Sequence, residues 1–152
     1  MTLTIDIWAT LKFLAAAILV AATVFVVVMI VSRIRSFFAS RKFEVSDREA
    51  MKRRWQEIQD MALATGEVSH KLAVMEADKL LDQALKTLAM PGMTLGERLK
   101  FAAYKYPQLR EVWWAHKVRN QLAHEASFHL ERSMAIRAVK TYKIALKRLG
   151  AI

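Results

Sequence analysis

Cysteine is absent from this 152-residue chain. That excludes disulfide frameworks, thiol nucleophiles and cysteine zinc sites, and it selects no compartment. Glycine and proline are scarce, at four and two residues, and few runs alternate in polarity. An all-α chain follows from that scarcity. Also missing are a G-x-S-x-G elbow, a glycine-rich phosphate loop and an acidic metal-binding loop, so the commonest hydrolase, nucleotide and cation signatures do not apply. Acidic residues are outnumbered, 14 against 24 Lys and Arg, for a formal net charge of +10. No internal repeat or low-complexity segment is present. The length allows one ordinary domain and an appendage.

The appendage is the apolar run from Phe13 to Val31, close to the ~20 residues needed to cross a bilayer. A signal peptide is the competing reading. Against it, the run exceeds the usual ~7–15-residue apolar region and no A-x-A-like site follows. Only Lys12 and the amino terminus precede the run, whereas Arg33, Arg35, Arg41 and Lys42 follow it, with Lys52, Arg53 and Arg54 soon after. The positive-inside bias predicts a single-pass protein of the cell membrane, N-terminus outside and the remainder cytoplasmic. The expected division is an extracytoplasmic segment 1–12, a transmembrane helix 13–32, a basic juxtamembrane segment 33–45 and a cytoplasmic helical bundle 46–152. Phe37, Phe38 and Phe43 among the arginines suit a juxtamembrane segment lying against anionic headgroups.

In the bundle, Ser46 and Glu49 have capping-box spacing. Met51, Trp55, Ile58 and Ala62 then form one apolar stripe. Gly66 stops or bends that helix. The next runs from Glu67 to Ala89, with Leu72, Met75, Leu80, Leu81, Ala84, Leu85 and Leu88 predicted inward, and Pro91 and Gly92 end it. Thr94 and Glu97 cap a shorter helix that Pro107 closes. A helix over Trp113–Glu125 follows, then a linker, then a helix from Glu131 to Leu149 with Ala135, Ala138, Val139, Tyr142, Ala145, Leu146 and Leu149 as its stripe. Four or five helices joined by short loops predict an antiparallel bundle.

The segment Trp113–Glu125 carries polar residues where an amphipathic helix would be apolar. At roughly 100° per residue, Leu109, Val112, Trp113 and Ala123 share a side, with His116 and Asn120 in its middle and Arg119 and His124 at its margins. Ala115, Val118, Leu122 and Ala126 extend the arc. Buried polar groups are costly unless paired, so this helix is the first place to look for function. Trp113 has packing or base-stacking as alternatives, and Trp114, about 100° away, is expected to cover another element.

Arg119-Asn120-Gln121-Leu122-Ala123-His124 resembles the R-x4-6-H motif of the HEPN superfamily, in which a polar residue often follows the arginine. The resemblance covers about residues 46–150. It implies a helical bundle that commonly dimerises and, in catalytic members, a metal-independent endoribonuclease. Under that implication Arg119 binds the scissile phosphate, His124 is general base or acid, and Asn120 orients His124 or the phosphate. His116, one turn before Asn120, reads first as a satisfied interfacial histidine and otherwise as the accessory candidate. Arg119 and His124 are five residues apart, about 140° around an ideal helix. The helix must therefore end or bend near His124, or a second copy must complete the site, as a symmetric dimer would. The alternative is structural. Arg119 pairs with Glu76, Asp78 or Asp82, and His124 caps a helix end.

The last helix has a basic outer face of Arg137, Lys140, Lys143, Lys147 and Arg148, with Arg132 near its start. It is either a solvated face or an anion-binding surface for nucleic acid or lipid. His124-Glu125 with His129 is one residue too long for H-E-x-x-H, so no metal and no cofactor are expected. Glu76 and Asp78 point to different sides of their helix and do not make an acid/base pair. The expected partners are the membrane, a second copy of the chain, RNA, and an unidentified protein. The leading expectation is a non-enzymatic dimerisation, scaffolding or RNA-binding module; the alternative is ribonuclease activity.

Overall fold

The structure, a computed structural model, describes residues 7–39, 42–125 and 127–152. Its contacts divide the chain into two units, Met1–Ser40 and Arg41–Ile152. The first unit carries α1 (Ile7–Ala39). Within α1, Thr10–Ser32 has a mean hydropathy of 3.0 over 23 residues. At ~1.5 Å per residue that is about 35 Å, enough to cross a hydrocarbon core. Its apolar side chains lie all round the helix and are exposed. The hydroxyls of Thr23 and Ser32 donate to the Leu19 and Met29 carbonyls at 2.7 and 2.9 Å. They so need no partner outside the helix. The helix also runs past both ends of the expected span. The basic stretch continues it as far as Ala39, although the side chains of residues 33–41 lie outside the described ones.

The second unit is a helical bundle: α2 (Val45–Leu63), α3 (Glu67–Thr87), α4 (Leu95–Lys105), a 3₁₀ turn (Pro107–Glu111), α5 (Val112–His124) and α6 (Arg132–Leu149). Phe43, expected at the headgroups, is instead buried in the core of this bundle. The expected capping box at Ser46 does not form. Glu44 is the N-cap and makes no side-chain cap bond, so Ser46 lies inside the first turn of α2. Met51, Trp55, Ile58 and Ala62 are buried as the stripe predicts.

Helix α3 is the axis of the unit, packed against α2, α4, α5 and α6. Two of its expected core residues are misplaced by the sequence reading. Leu72 is 45% exposed, and Met75 is only half-buried. Ala73, Val74 and Ala77 hold the inner face instead. Small side chains there let neighbouring helices approach closely, which ridges-into-grooves packing uses. The helix stops before Pro91. Ala89 takes a left-handed φ of 53°, and the Met90 amide donates to the Leu85 carbonyl at 2.9 Å. This is the bend a helix C-terminus normally gives to glycine. Ala89→Gly should therefore raise stability by about 0.5–1 kcal/mol, read as a higher urea midpoint at unchanged slope. Gly92 (φ 134°) is required, because a Cβ there would lie 2.7 Å from the Glu97 Cβ and 2.8 Å from the Arg98 amide.

Thr94 and Glu97 cap α4 as expected. The Glu97 amide donates to Thr94 Oγ1 at 3.2 Å, and the Met93 amide donates to the Glu97 carboxylate at 2.6 Å. Helix α6 buries every residue of its predicted stripe, from Ala135 to Leu149. Helix α5 ends at His124, and residues 127–130 form no helix.

Candidate functional site

The buried face of α5 is Val112, Ala115, His116 and Val118. Ala123, read as part of that face, is exposed, and Ala126 lies outside the described residues. The face is thus rotated toward Ala115 and Val118, which puts His116 inside, while Asn120 remains half-buried.

What His116 meets is Asp78, a fully buried carboxylate on the inner face of α3. His116 Nδ1 lies 2.7 Å from Asp78 Oδ1. The Tyr142 hydroxyl of α6 donates to the same oxygen at 2.9 Å. Arg119 Nε lies 2.7 Å from Oδ2. That oxygen makes no aligned hydrogen bond, so the Arg119 contact is an ion pair with poor donor geometry. One acid so ties three helices together. Burying it would cost several kcal/mol if it were alone, and its partners are what make it tolerable. Burial pushes the Tyr142 hydroxyl well above the ordinary tyrosine range, with the negative charge of Asp78 and the hydrogen bond to it adding and Arg119 opposing. Tyr142 is therefore a fixed donor and not a titrating group.

Next to this cluster, the buried Arg98 holds the α3–α4 connection. Its Nε donates to Asp82 Oδ1 at 2.8 Å, Nη2 to the Met93 carbonyl at 3.3 Å, and Nη1 to the Gly92 carbonyl. Lys86 Nζ lies 2.7 Å from Asp82 Oδ2. Burial alone would raise the carboxyl of Asp82, but the hydrogen bonds from Arg98 and Lys86 outweigh it and hold the group below the usual range. Glu76 is also held low, by Lys79 first and Arg54 further, against burial. Depressed carboxyls contribute stability above their unfolded values near pH 4 and lose it as pH falls through the lower folded values. The urea midpoint should therefore fall as pH drops below about 4. Arg98→Met should make that fall shallower, because Asp82 then loses its principal cation.

Between α3, the N-terminus of α4 and α5 lies a cleft of about 530 Å³ whose wall includes Asp78, Asp82, Gly96, His116, Arg119 and Asn120. Arg119 Nη1 donates to Asn120 Oδ1 at 2.8 Å. The free edge of His116 faces this space. A Cβ built on Gly96 would lie 3.9 Å from His116 Nε2 and 3.8 Å from Trp113. Trp113 meets the His116 ring edge-on, at 6.2 Å between centroids.

The candidate residues therefore fall in different places. Arg119, Asn120 and His116 share the cleft. His124 is the last residue of α5, exposed, and is not part of the cleft wall. On α6, Arg137 lies 4.3 Å over the Trp114 ring, so Trp114 covers that helix through a cation–π contact. Lys140 and Lys143 border a separate apolar groove with Trp55, Leu63 and Ile136. Lys147 is exposed. His129 lies 3.4 Å from Glu67. Among the described residues no group of three His, Asp or Glu side chains could hold a metal ion.

Sequence reasoning offered Asp78 only as one of three possible partners for Arg119 and missed the structural weight it carries. A signal was present: Asp78 continues the series Val74, Leu81 and Leu85 on the apolar arc of α3. An acid inside an apolar stripe carries the same message as the histidine inside that of α5. No model of a known protein family, no curated protein sequence and no solved structure matches this chain.

Proposed function

We propose that this protein is a single-pass membrane protein, N-terminus outside, whose cytoplasmic HEPN-like bundle binds RNA as a non-enzymatic homodimeric module. The observation that carries the binding reading is the separation of the arginine and histidine. Arg119 is held by Asp78 beside the cleft, whereas His124 stands exposed at the end of α5, outside that wall. A general base must reach the reacting proton within about 3 Å or through one water. One chain thus presents an anion-facing arginine with no histidine of the motif beside it, which suits binding. The net charge of +10 favours a polyanion. The basic residues of α6 add a second surface that can track phosphates. Tethering by α1 raises the local concentration of copies, which favours the dimer.

A second reading has its own observation. Because α5 ends at His124 and leaves it exposed, that histidine is available to the cleft of a partner copy. A metal-independent ribonuclease assembled across a dimer would use it so.

The test uses the full chain in nanodiscs of phosphatidylcholine, with fluorescent single-stranded RNA in EDTA, and its His124→Ala variant. The expected result is binding of intact RNA by a dimer, with both proteins alike within about twofold. Cleavage that His124→Ala abolishes would establish the second reading. A folded protein that binds no RNA would overturn both. A reporter fused after Ile152 should report a cytoplasmic C-terminus, and an extracytoplasmic signal would sink the topology.

A further inference from the structure

We infer that the cleft between α3, the N-terminus of α4 and α5 is a seat for a phosphoryl group, with His116 Nε2 and the bare backbone at Gly96 as its inner donors. The inference deepens the RNA reading and rests on it for one of two sources of the phosphate: the 5′ end of a strand, or free phosphate.

Charge comes first. The wall holds four cations, Lys79, Lys86, Arg98 and Arg119, against two carboxylates, Asp78 and Asp82. Both carboxylates already have cationic partners in the protein. Lys79 is in turn paired with Glu76 beyond the wall. The surplus is therefore a single positive charge, at Asp82, which faces both Lys86 and Arg98, and the cleft suits an anion better than a cation.

His116 is the second observation. Its side chain is only 10% exposed. Nδ1 is committed to Asp78. No hydrogen-bond partner of Nε2 is found among the described residues, and it faces the open space at Gly96. With Nδ1 donating to an acid, the ring orientation is fixed. Nε2 is then the ring atom left to share a proton with a phosphoryl oxygen.

The third observation is how α4 begins. The first amides of a helix have no intrahelical acceptor. The cap satisfies the Met93 and Glu97 amides and leaves those of Leu95 and Gly96, at the first two helical positions, without a partner among the described residues. Gly96 does not need to be glycine for its backbone, since it is not among the positive-φ residues. A Cβ there would make only ordinary contacts, at 3.8 and 3.9 Å. Glycine inside a helix costs stability relative to alanine. Here it leaves the space in front of Nε2 and the helix amides open to a ligand oxygen. Arg119 completes the seat. Its Nε faces Asp78 and its Nη1 bonds Asn120, so Nη2 remains for the ligand. Donors arriving from two helices, backbone amides of α4 and side chains of α5, match the several oxygens of a phosphoryl group. The cleft, at about 530 Å³, also leaves room for the sugar and base that carry it.

The test uses the full chain in phosphatidylcholine nanodiscs, with inorganic phosphate as the calorimetric probe and chloride as the control. Gly96→Ala is the informative variant, because it should fold at least as well as the parent. Its methyl occupies the seat, and phosphate binding should weaken about tenfold or more with no fall in thermal midpoint. In parallel, a 5′-phosphorylated oligoribonucleotide is compared with its 5′-hydroxyl form. Tighter binding of the phosphorylated strand, reversed by inorganic phosphate, supports the seat with an RNA end as its source. Equal binding of the two strands, with phosphate binding still sensitive to Gly96→Ala, supports the seat with free phosphate as its source. Absence of phosphate binding, or equal affinity in parent and Gly96→Ala, overturns the seat. RNA binding that persists in that case leaves the RNA reading standing. Loss of RNA binding with phosphate binding intact sinks that reading and keeps the seat.

Discussion

Asp78→Ala should destabilise the bundle by about 3–5 kcal/mol, the range for removing one partner of a buried ion pair. The effect is large because three groups depend on one carboxylate. His116 and Tyr142 share Oδ1, and Arg119 faces Oδ2. Without Asp78 the guanidinium keeps part of its surface in the cleft and can turn to water, being 29% exposed at the side chain. The Tyr142 hydroxyl is fully buried and cannot. An unmade bond of that kind costs about 1–3 kcal/mol. The measurement is the urea midpoint followed by circular dichroism. A loss below about 1 kcal/mol would show that the carboxylate is dispensable to the fold. A triple variant, Asp78→Leu with His116→Leu and Tyr142→Phe, removes the buried polar groups together and leaves only the part-exposed Arg119, which can turn to water. It should recover much of the midpoint, because buried polar clusters replaced whole by apolar side chains are often neutral or stabilising. If the cluster serves binding, the recovered fold should still bind RNA more weakly than the parent. A triple variant with parental stability and parental binding would make the cluster a purely structural knot.

How much of this was legible depended on whether a feature was local. In α6 a single face packs on α3, α5 and α2, so the 3.6-residue period identified each buried position from Ala135 to Leu149. The Thr94–Glu97 cap is likewise local and was readable from spacing alone. In α3 the same reasoning failed in part. A helix packed on several sides has no single stripe, and Ala73 and Ala77 lie inward where Leu72 and Met75 are expected. Packing rewards close approach as well as apolar area, and small residues supply it. Phe43 was misread for another reason. Its neighbours in sequence are basic, which suits a headgroup layer, but its neighbours in space are the bundle core. For the site, misplaced polarity marked His116, Arg119 and Asn120 correctly as residues needing partners. It did not identify those partners. Asp78 is 38 residues from His116 and 64 from Tyr142, and no periodicity within one helix fixes such a pairing. The place of His124 turned on where α5 ends, which a sequence boundary gives only to within a residue or two.

Two leucines of α3 offer the sharpest contrast in the bundle. Leu81→Ala should cost about 2–5 kcal/mol, the range for emptying a closed core position. Leu72→Ala should stay within about 0.5 kcal/mol of the parent. Residue type, substitution and helix are the same, so helix propensity cancels between the two. Leu81 is 0% exposed, on the helix that α2, α4, α5 and α6 all contact, whereas Leu72 is 45% exposed. Truncation at 81 leaves a void that neighbours on several helices cannot all move to fill, so lost transfer energy and lost dispersion add. With domain stabilities commonly about 5–15 kcal/mol, that is a large share of the whole. The comparison is made by urea unfolding of the full chain under one set of conditions, with unchanged slope as the check that the unfolded state is the same. A cost at 72 that matches the cost at 81 would mean that the outer face of α3 is covered, by a second copy or by the membrane surface. Repeating the measurement across protein concentrations would separate those two, since only a dimer's midpoint rises with concentration.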